Sequence, residues 1–74
     1  MPDSDEAPTD RSPTAARILD VAERLFQRRG YTAVSYADLA AELGLTTAAI
    51  HYHFPSKDDL GQAVVARYRR VNAK

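Results

Sequence analysis

The polar side chains between residues 46 and 57 are mainly hydroxyls, imidazoles and one ammonium group, which form hydrogen bonds but make no identifiable catalytic set. His51 and His53 are two residues apart, so on a helix they do not share a face and cannot hold a metal ion together. The chain has no cysteine, and no serine has a base and an orienting group that its spacing identifies. The sequence therefore predicts no enzyme, no metal site and no cofactor.

A surface that reads DNA bases makes better use of this stretch. Thr47, Ala48 and Ala49 are small and come just before His51, at the start and on the first face of a short predicted helix. Methyl groups of Thr and Ala can touch thymine methyl groups, and a hydroxyl can bond a base edge or a phosphate. Alanines are also good helix formers, so periodicity alone leaves both interpretations of Ala48 and Ala49 open. The candidate base contacts are Thr47, Ala48, Ala49 and His51.

Other donors suit DNA phosphates. The hydroxyl and ring N–H groups of Tyr52 and His53 lie beside the same helix, and Ser35 and Tyr36 begin another helix whose N-terminal end is positive. Capping and packing explain Ser35 and Tyr36 equally well. Lys57 falls at the first position of the last helix, where a cation opposes the helix dipole. Its placement therefore needs an outside reason, which a phosphate would supply; the alternative is an exposed lysine with a small cost.

Two short helices joined by a tight turn, at about 36–43 and 47–53, would position these side chains. Gly44 can take the left-handed conformation that ends a helix, and Thr46 is a good N-cap for the next one. Leu45 and Ile50 stand at the positions of a hydrophobic staple. This pair has the form of a helix-turn-helix, in which the second helix can enter a DNA major groove.

Longer helices, at about 13–29 and 57–71, flank this pair. Ser12 and Pro13 mark a helix start, and Gly30 marks its end. Ser35 and Ser56 each precede an aspartate by three residues, which is a variant of the capping box. The first helix has a core-facing apolar stripe of Ile18, Leu19, Ala22, Leu25 and Phe26. The predicted fold is all-α: a three-helix, homeodomain-like bundle with a fourth helix, in a domain of residues 12–74.

The 74-residue chain has a formal net charge of zero, but the charges are distributed unevenly along it. The first ten residues contain four acidic residues and no basic ones, and residues 1–11 are predicted to be a disordered acidic tail. The remainder has ten basic and six acidic residues, a net +4 that is compatible with DNA binding but not decisive. No apolar run approaches the about 20 residues needed to span a bilayer, and the acidic start does not resemble a signal peptide. We expect a cytoplasmic protein without membrane contact.

The stretch RILDVAERLFQRRGYTAVSYADLAAELGLTTAAIHYHFPSKDDL, residues 17–60, resembles the N-terminal DNA-binding domain of the tetracycline-repressor (TetR/AcrR) family of bacterial transcriptional regulators. The spacing of GYTAVSYADLA, LAAELGLT and IHYHFPSKDDL carries the resemblance. It implies a three-helix DNA-binding unit whose third helix reads the major groove. It also implies a fourth helix that leads to a larger helical domain for effector binding and dimerisation.

The resemblance implies roles for individual residues. It adds Thr46, at the start of the recognition helix, to the phosphate contacts, and it supports base contact by Thr47 and Ala49. His51 stands where the family most often has a Tyr that touches phosphate or base. The phosphate contacts expected on both grounds, or on the resemblance alone, are Ser35, Tyr36, Thr46, Tyr52, His53 and Lys57. Two departures, Ala37 in place of a common Arg and Thr47 in place of a common Lys, imply weaker electrostatic affinity.

The expected function is sequence-specific binding of double-stranded DNA at a palindromic operator, by a bacterial transcriptional regulator. We expect this regulator to be a repressor and to be nucleoid-associated when bound. From the resemblance we expect the C-terminal regulatory domain of the family to be absent from this chain. We therefore expect a homodimer only with that domain, and no binding of the small-molecule effector by this chain. The alternative is a truncated protein-interaction module that acts through an apolar stripe of the fourth helix, formed by Val64, Val65, Tyr68 and Val71.

Overall fold

A computed structural model describes residues 12–72, and the predicted tail lies outside them. In this part of the chain four α-helices follow one another: α1 (Pro13–Arg29), α2 (Tyr36–Leu43), α3 (Thr47–His53) and α4 (Lys57–Asn72). A short 3-10 helix, Tyr31–Ala33, lies between α1 and α2. The structure confirms the all-helical fold class.

The ends of the helices are fixed by local hydrogen bonds. The Ser12 hydroxyl accepts from the Ala15 N–H at 3.0 Å and begins α1. Ser56 begins α4 with a reciprocal pair of bonds: its N–H donates to the Asp59 carboxylate at 3.2 Å, and its hydroxyl accepts from the Asp59 N–H at 3.1 Å. Gly44 ends α2 with φ 71° and ψ 30°, the left-handed conformation that a residue with a side chain adopts only at a cost. These predicted caps are confirmed.

One hydrophobic core holds the helices together, and each of them contributes to it. The α1 stripe meets Leu39 of α2, Ile50 of α3 and Leu60 of α4, all fully buried. Val34 and Phe54, from the connections before α2 and after α3, are also buried. The buried set is Ala15, Ile18, Leu19, Val21, Ala22, Leu25, Val34, Leu39, Ala40, Ile50, Phe54, Leu60 and Val64. Burial of Ile50 fixes which face of α3 points outward.

Surface groups of α1 tie it to α2 and α4. Arg17 donates to the carbonyl of Leu43 at 3.3 Å, beside the turn between α2 and α3. Arg24 forms an ion pair with Glu42 at 3.0 Å, and Arg67 of α4 pairs with Asp20. Exposed pairs of this kind contribute about 0–1 kcal/mol each, so the core is the main source of stability.

The 3-10 helix packs against α4 through Tyr31. A Cβ atom placed on Gly61 would lie 2.9 Å from Cε1 of Tyr31, so the ring sits directly on the α4 backbone. The same ring packs on Phe26, in the last turn of α1, with centroids 5.2 Å apart. None of the helices in residues 12–72 has the length and apolar character needed to cross a membrane.

Candidate nucleic-acid interface

Helix α3 presents one polar face to solvent. The Thr46 hydroxyl accepts from the Ala49 N–H at 3.1 Å and caps the helix. Thr47 and Ala48 are exposed in its first turn, and Ala49 is partly buried. Because small side chains leave the backbone close to the surface, this turn can approach a groove floor closely.

His51 lies on the exposed face of α3, but its ring also contacts other parts of the protein. Its Nδ1 is 3.2 Å from the main-chain carbonyl oxygen of Pro55. The ring also packs on Tyr36, with centroids 4.4 Å apart and planes inclined by 42°. Two candidate residues that are fifteen positions apart in the sequence are thus in direct contact.

Tyr36 reaches from the start of α2 to the connection between α3 and α4. Its hydroxyl lies 2.8 Å from the carbonyl oxygen of Phe54 and 2.7 Å from that of Ser56, and its one hydrogen is shared between these two acceptors. Burial, with smaller contributions from Asp59 and Tyr31, raises the pKa of Tyr36 to about 12. The phenol therefore remains a neutral donor at ordinary pH. Its proton is engaged within the protein, so the predicted phosphate contact would require this bond to open.

Ser35 is also engaged within the protein. Its hydroxyl and its N–H both donate to the Asp38 carboxylate, at 3.0 and 2.9 Å, and the hydroxyl accepts from the Asp38 N–H at 3.2 Å. These bonds to Ser35, with smaller help from Arg29 and Lys57, hold the pKa of Asp38 below its usual value. An acidic side chain therefore occupies the N-terminus of α2. This geometry supports the capping interpretation of Ser35, while its contact with a phosphate stays a prediction.

The contacts of Lys57 differ from those that its sequence position suggested. Its ammonium group donates to the carbonyl oxygen of Tyr31 at 2.6 Å and lies 4.5 Å from the centre of the Tyr31 ring. A reason inside the protein therefore exists for a cation at the first position of α4, so the premise that only an outside group explains it was wrong. Phosphate binding by Lys57 stays a prediction, which now includes competition with Tyr31.

The other two phosphate candidates differ in exposure. Tyr52 is 58% exposed, and its ring meets that of His53 edge-on, with centroids 5.1 Å apart. His53 is partly buried, and its Nδ1 is buried without a hydrogen-bond partner among the described residues. Tyr52 is thus the more accessible donor.

Two carbonyl groups of this surface were not anticipated from the sequence. Tyr31 accepts from Lys57, and Pro55 accepts from His51. Neither role leaves a mark in side-chain type or spacing, because a main-chain carbonyl is present at every position. The side-chain types of Tyr36 and His51 marked both as candidate DNA contacts. Nothing in their spacing indicated that they would touch each other.

Known proteins of similar sequence match most of this chain. The family model "Bacterial regulatory proteins, tetR family" matches residues 18–64. The chain is 42% identical over 52 residues to the HTH-type transcriptional regulator TtgR of Pseudomonas putida, which covers 70% of this chain and 25% of that protein. It is 36% identical over 56 residues to the HTH-type transcriptional repressor BepR of Brucella suis, covering 76% of this chain and 27% of BepR.

A solved structure has a similar fold. The crystal structure of a TetR transcriptional regulator from Legionella pneumophila superposes with a TM-score of 0.77 at 52% identity, over 80% of this chain and 32% of that one. This chain spans about a quarter of the length of the curated relatives named above.

Proposed function

We propose a DNA-binding function for this chain because it belongs to the tetR family of bacterial regulatory proteins. Its relatives are named as regulators of transcription, so the chain is a regulatory protein and not an enzyme. In our proposal residues 12–72 bind double-stranded DNA, with α3 in the major groove. The cytoplasm, where bacterial DNA lies, is the corresponding location.

The outward face of α3 supports this proposal most directly. Ile50 anchors the helix in the core, and this leaves Thr47, Ala48 and His51 on the exposed side. In a helix-turn-helix, base contacts come from the N-terminal residues of the second helix. A face with two small residues and one imidazole can approach base edges without a long side chain in the way. Ala49, which is partly buried, would contribute at the margin of the contact.

Phosphate contacts would surround this face. Tyr52 is the exposed donor at the end of α3, and Lys57 is the cation at the start of α4. Thr46, Ser35, Tyr36 and His53 complete the proposed set, although hydroxyls of the first three form internal bonds. Such contacts would fix the register of α3 on the duplex and contribute no base preference.

Repression, a palindromic operator and dimer formation are proposed by analogy with the longer relatives. BepR is named a repressor, and we propose repression for the protein to which this domain corresponds. We further propose a palindromic operator read by two copies, since dimers bind half-sites about one helical turn apart. Dimer contacts and effector binding would come from the regulatory domain expected from the family resemblance.

A second candidate function uses α4. Val65 and Tyr68 are 54% and 51% exposed, so this helix could contact another protein. Val64, which was predicted as part of the same stripe, is buried in the core, and the side chain of Val71 lies outside the described residues. Only Val65 and Tyr68 therefore remain as described residues of this candidate surface.

Binding to a pool of random duplexes across a salt series tests the proposed function. The logarithm of affinity should fall linearly with the logarithm of salt concentration, with a slope of about −0.9 per phosphate contact. The double variant Lys57→Ala, Tyr52→Phe should flatten this slope. Arg24→Gln, which removes one positive charge from α1, is the control and should leave the slope nearly unchanged.

The folded state of each variant must be verified by circular dichroism, because Lys57 also bonds to Tyr31. Absence of binding by the unaltered chain at low salt would reject the proposal. Equal slopes for the double variant and the control would reject the phosphate contact of Lys57, and equal affinities at every salt concentration would reject both contacts.

A further inference from the structure

We infer that His51 presents an unprotonated Nε2 on the outward face of α3, and so selects a base that presents an amino group in the major groove, cytosine or adenine, at the position it faces. This inference rests on the proposed function, since it concerns the base that α3 reads. It goes further by assigning which partner accepts and which donates the hydrogen bond in one contact.

The partner of Nδ1 determines where the ring hydrogen lies. The carbonyl oxygen of Pro55, 3.2 Å away, can only accept a hydrogen bond. Nδ1 must therefore carry the hydrogen. In a neutral imidazole the other nitrogen then has a lone pair and no hydrogen, so Nε2 is an acceptor.

Tyr36 keeps the ring in this orientation. It packs on the imidazole, and its hydroxyl is bonded to the carbonyl oxygens of Phe54 and Ser56, the residues on either side of Pro55. Both rings are thus fastened to one three-residue connection. A flipped imidazole would turn a carbon atom toward the Pro55 carbonyl and lose the hydrogen bond. Tyr36 is therefore a positioning residue for His51.

The Nε2 edge of the ring lies away from this connection. The N–H direction of Nδ1 and the lone-pair direction of Nε2 diverge widely in an imidazole ring, so Nε2 points away from Pro55. His51 is exposed, and Thr47, four residues earlier, lies on the same face of α3. An acceptor at Nε2 is consequently directed to the side of the helix that faces the bases.

The major groove offers this acceptor two suitable partners. Cytosine presents its N4 amino group and adenine its N6 amino group, whereas guanine and thymine present acceptor oxygens at the corresponding edge. One net hydrogen bond corresponds to roughly a 3- to 10-fold difference in affinity. Cytosine or adenine should be preferred by about that factor at one position of the half-site.

The tautomer can be measured without DNA. Nitrogen-15 NMR of the imidazole rings in the free chain, at about pH 8.5, where histidine side chains are ordinarily neutral, distinguishes a protonated nitrogen from an unprotonated one. The expected result for His51 is a hydrogen on Nδ1 and none on Nε2. A hydrogen on Nε2 would overturn the inference and leave the proposed function untouched.

The base preference is measured with the enriched half-site from the random pool, with each position changed in turn to all four bases. His51→Phe should remove the preference for cytosine or adenine at one position, and His51→Arg should replace it with a preference for guanine. Tyr36→Phe should weaken the same preference at that position only. Tyr52→Phe, the control, should change affinity about equally for every duplex.

The outcomes distinguish a failure of the proposed function from a failure of the inference about His51. If no duplex binds at low salt, the proposed function fails. If the duplexes bind but the preferences are the same with His51→Phe as with the unaltered chain, this inference fails alone. A His51-dependent preference for guanine or thymine would also overturn it.

Discussion

The ammonium group of Lys57 bonds to the main-chain carbonyl of Tyr31 at 2.6 Å and lies 4.5 Å from the centre of the Tyr31 ring. The bond connects the first residue of α4 to the 3-10 helix that follows α1. It stabilises the fold with the same cation that is proposed to bind a phosphate. Fold stability and DNA affinity are therefore expected to change together when Lys57 is replaced.

Replacing Lys57 with Met should lower the free energy of unfolding by about 1 kcal/mol. The charged hydrogen bond and a cation–π contact of about 0.5–1 kcal/mol are lost, and relief of the unfavourable helix-dipole position offsets part of this. Urea unfolding measures the effect. In a double-mutant cycle with Tyr31→Leu, only the ring contact should couple, by less than about 1 kcal/mol. A Lys57→Met chain as stable as the original would show that the contact contributes nothing in solution.

Tyr36→Phe should change the response to alkaline pH. The folded pKa of Tyr36 is about 12, above the ordinary value of 10.0, so its contribution to stability is complete below about pH 10. It is lost as the pH rises toward the folded value, because the unfolded chain releases the proton first. Thermal unfolding between pH 8 and pH 12 should show this decline in the original chain and a smaller decline in Tyr36→Phe. Tyr52→Phe, an exposed control, should behave like the original chain.

Ser35→Ala and Ser56→Ala form a matched pair, because each serine caps a helix with an aspartate three residues later. Each change should cost about 1 kcal/mol of stability. If Ser35 also contacts a phosphate, only Ser35→Ala should lower DNA affinity. Equal DNA affinities for two equally stable variants would leave Ser35 with capping alone.

The role of the outer face of α4 is tested by Val65→Ser combined with Tyr68→Ser. Both side chains are about half exposed, so stability should change by less than about 1 kcal/mol and DNA affinity should be unchanged. Val64→Ala, one position away but buried, should cost about 1–3 kcal/mol. A loss of DNA binding in the stable double variant would instead show that this face takes part in function through association.

The helices were predictable because their signals are local. Ser12 before Pro13, the left-handed Gly44 and the serine–aspartate pairs at 35 and 56 each act within four residues, and each appears in the structure as a cap. The apolar stripes were predictable in the same way. Ile50 and Leu39 had to face inward for any compact arrangement of these helices.

The contacts that shape the candidate site could not be predicted, because they join residues far apart in sequence. Tyr36 meets the connection 18 to 20 residues later, and Lys57 meets Tyr31 at a separation of 26. Such contacts depend on how packed helices are placed, which no spacing rule provides. The same holds for Gly61. In the sequence it is only a weak point of a helix, but in the structure it provides space for the Tyr31 ring.

The connections of the fold, at residues 30–35, 44–46 and 54–56, are all short. Helices α1 and α2, and helices α2 and α3, are neighbours both along the chain and in space, so these contacts form with a small loss of loop entropy. Chains dominated by such local contacts fold in microseconds to milliseconds. The domain should thus regain its structure within the dead time of manual mixing after dilution from denaturant.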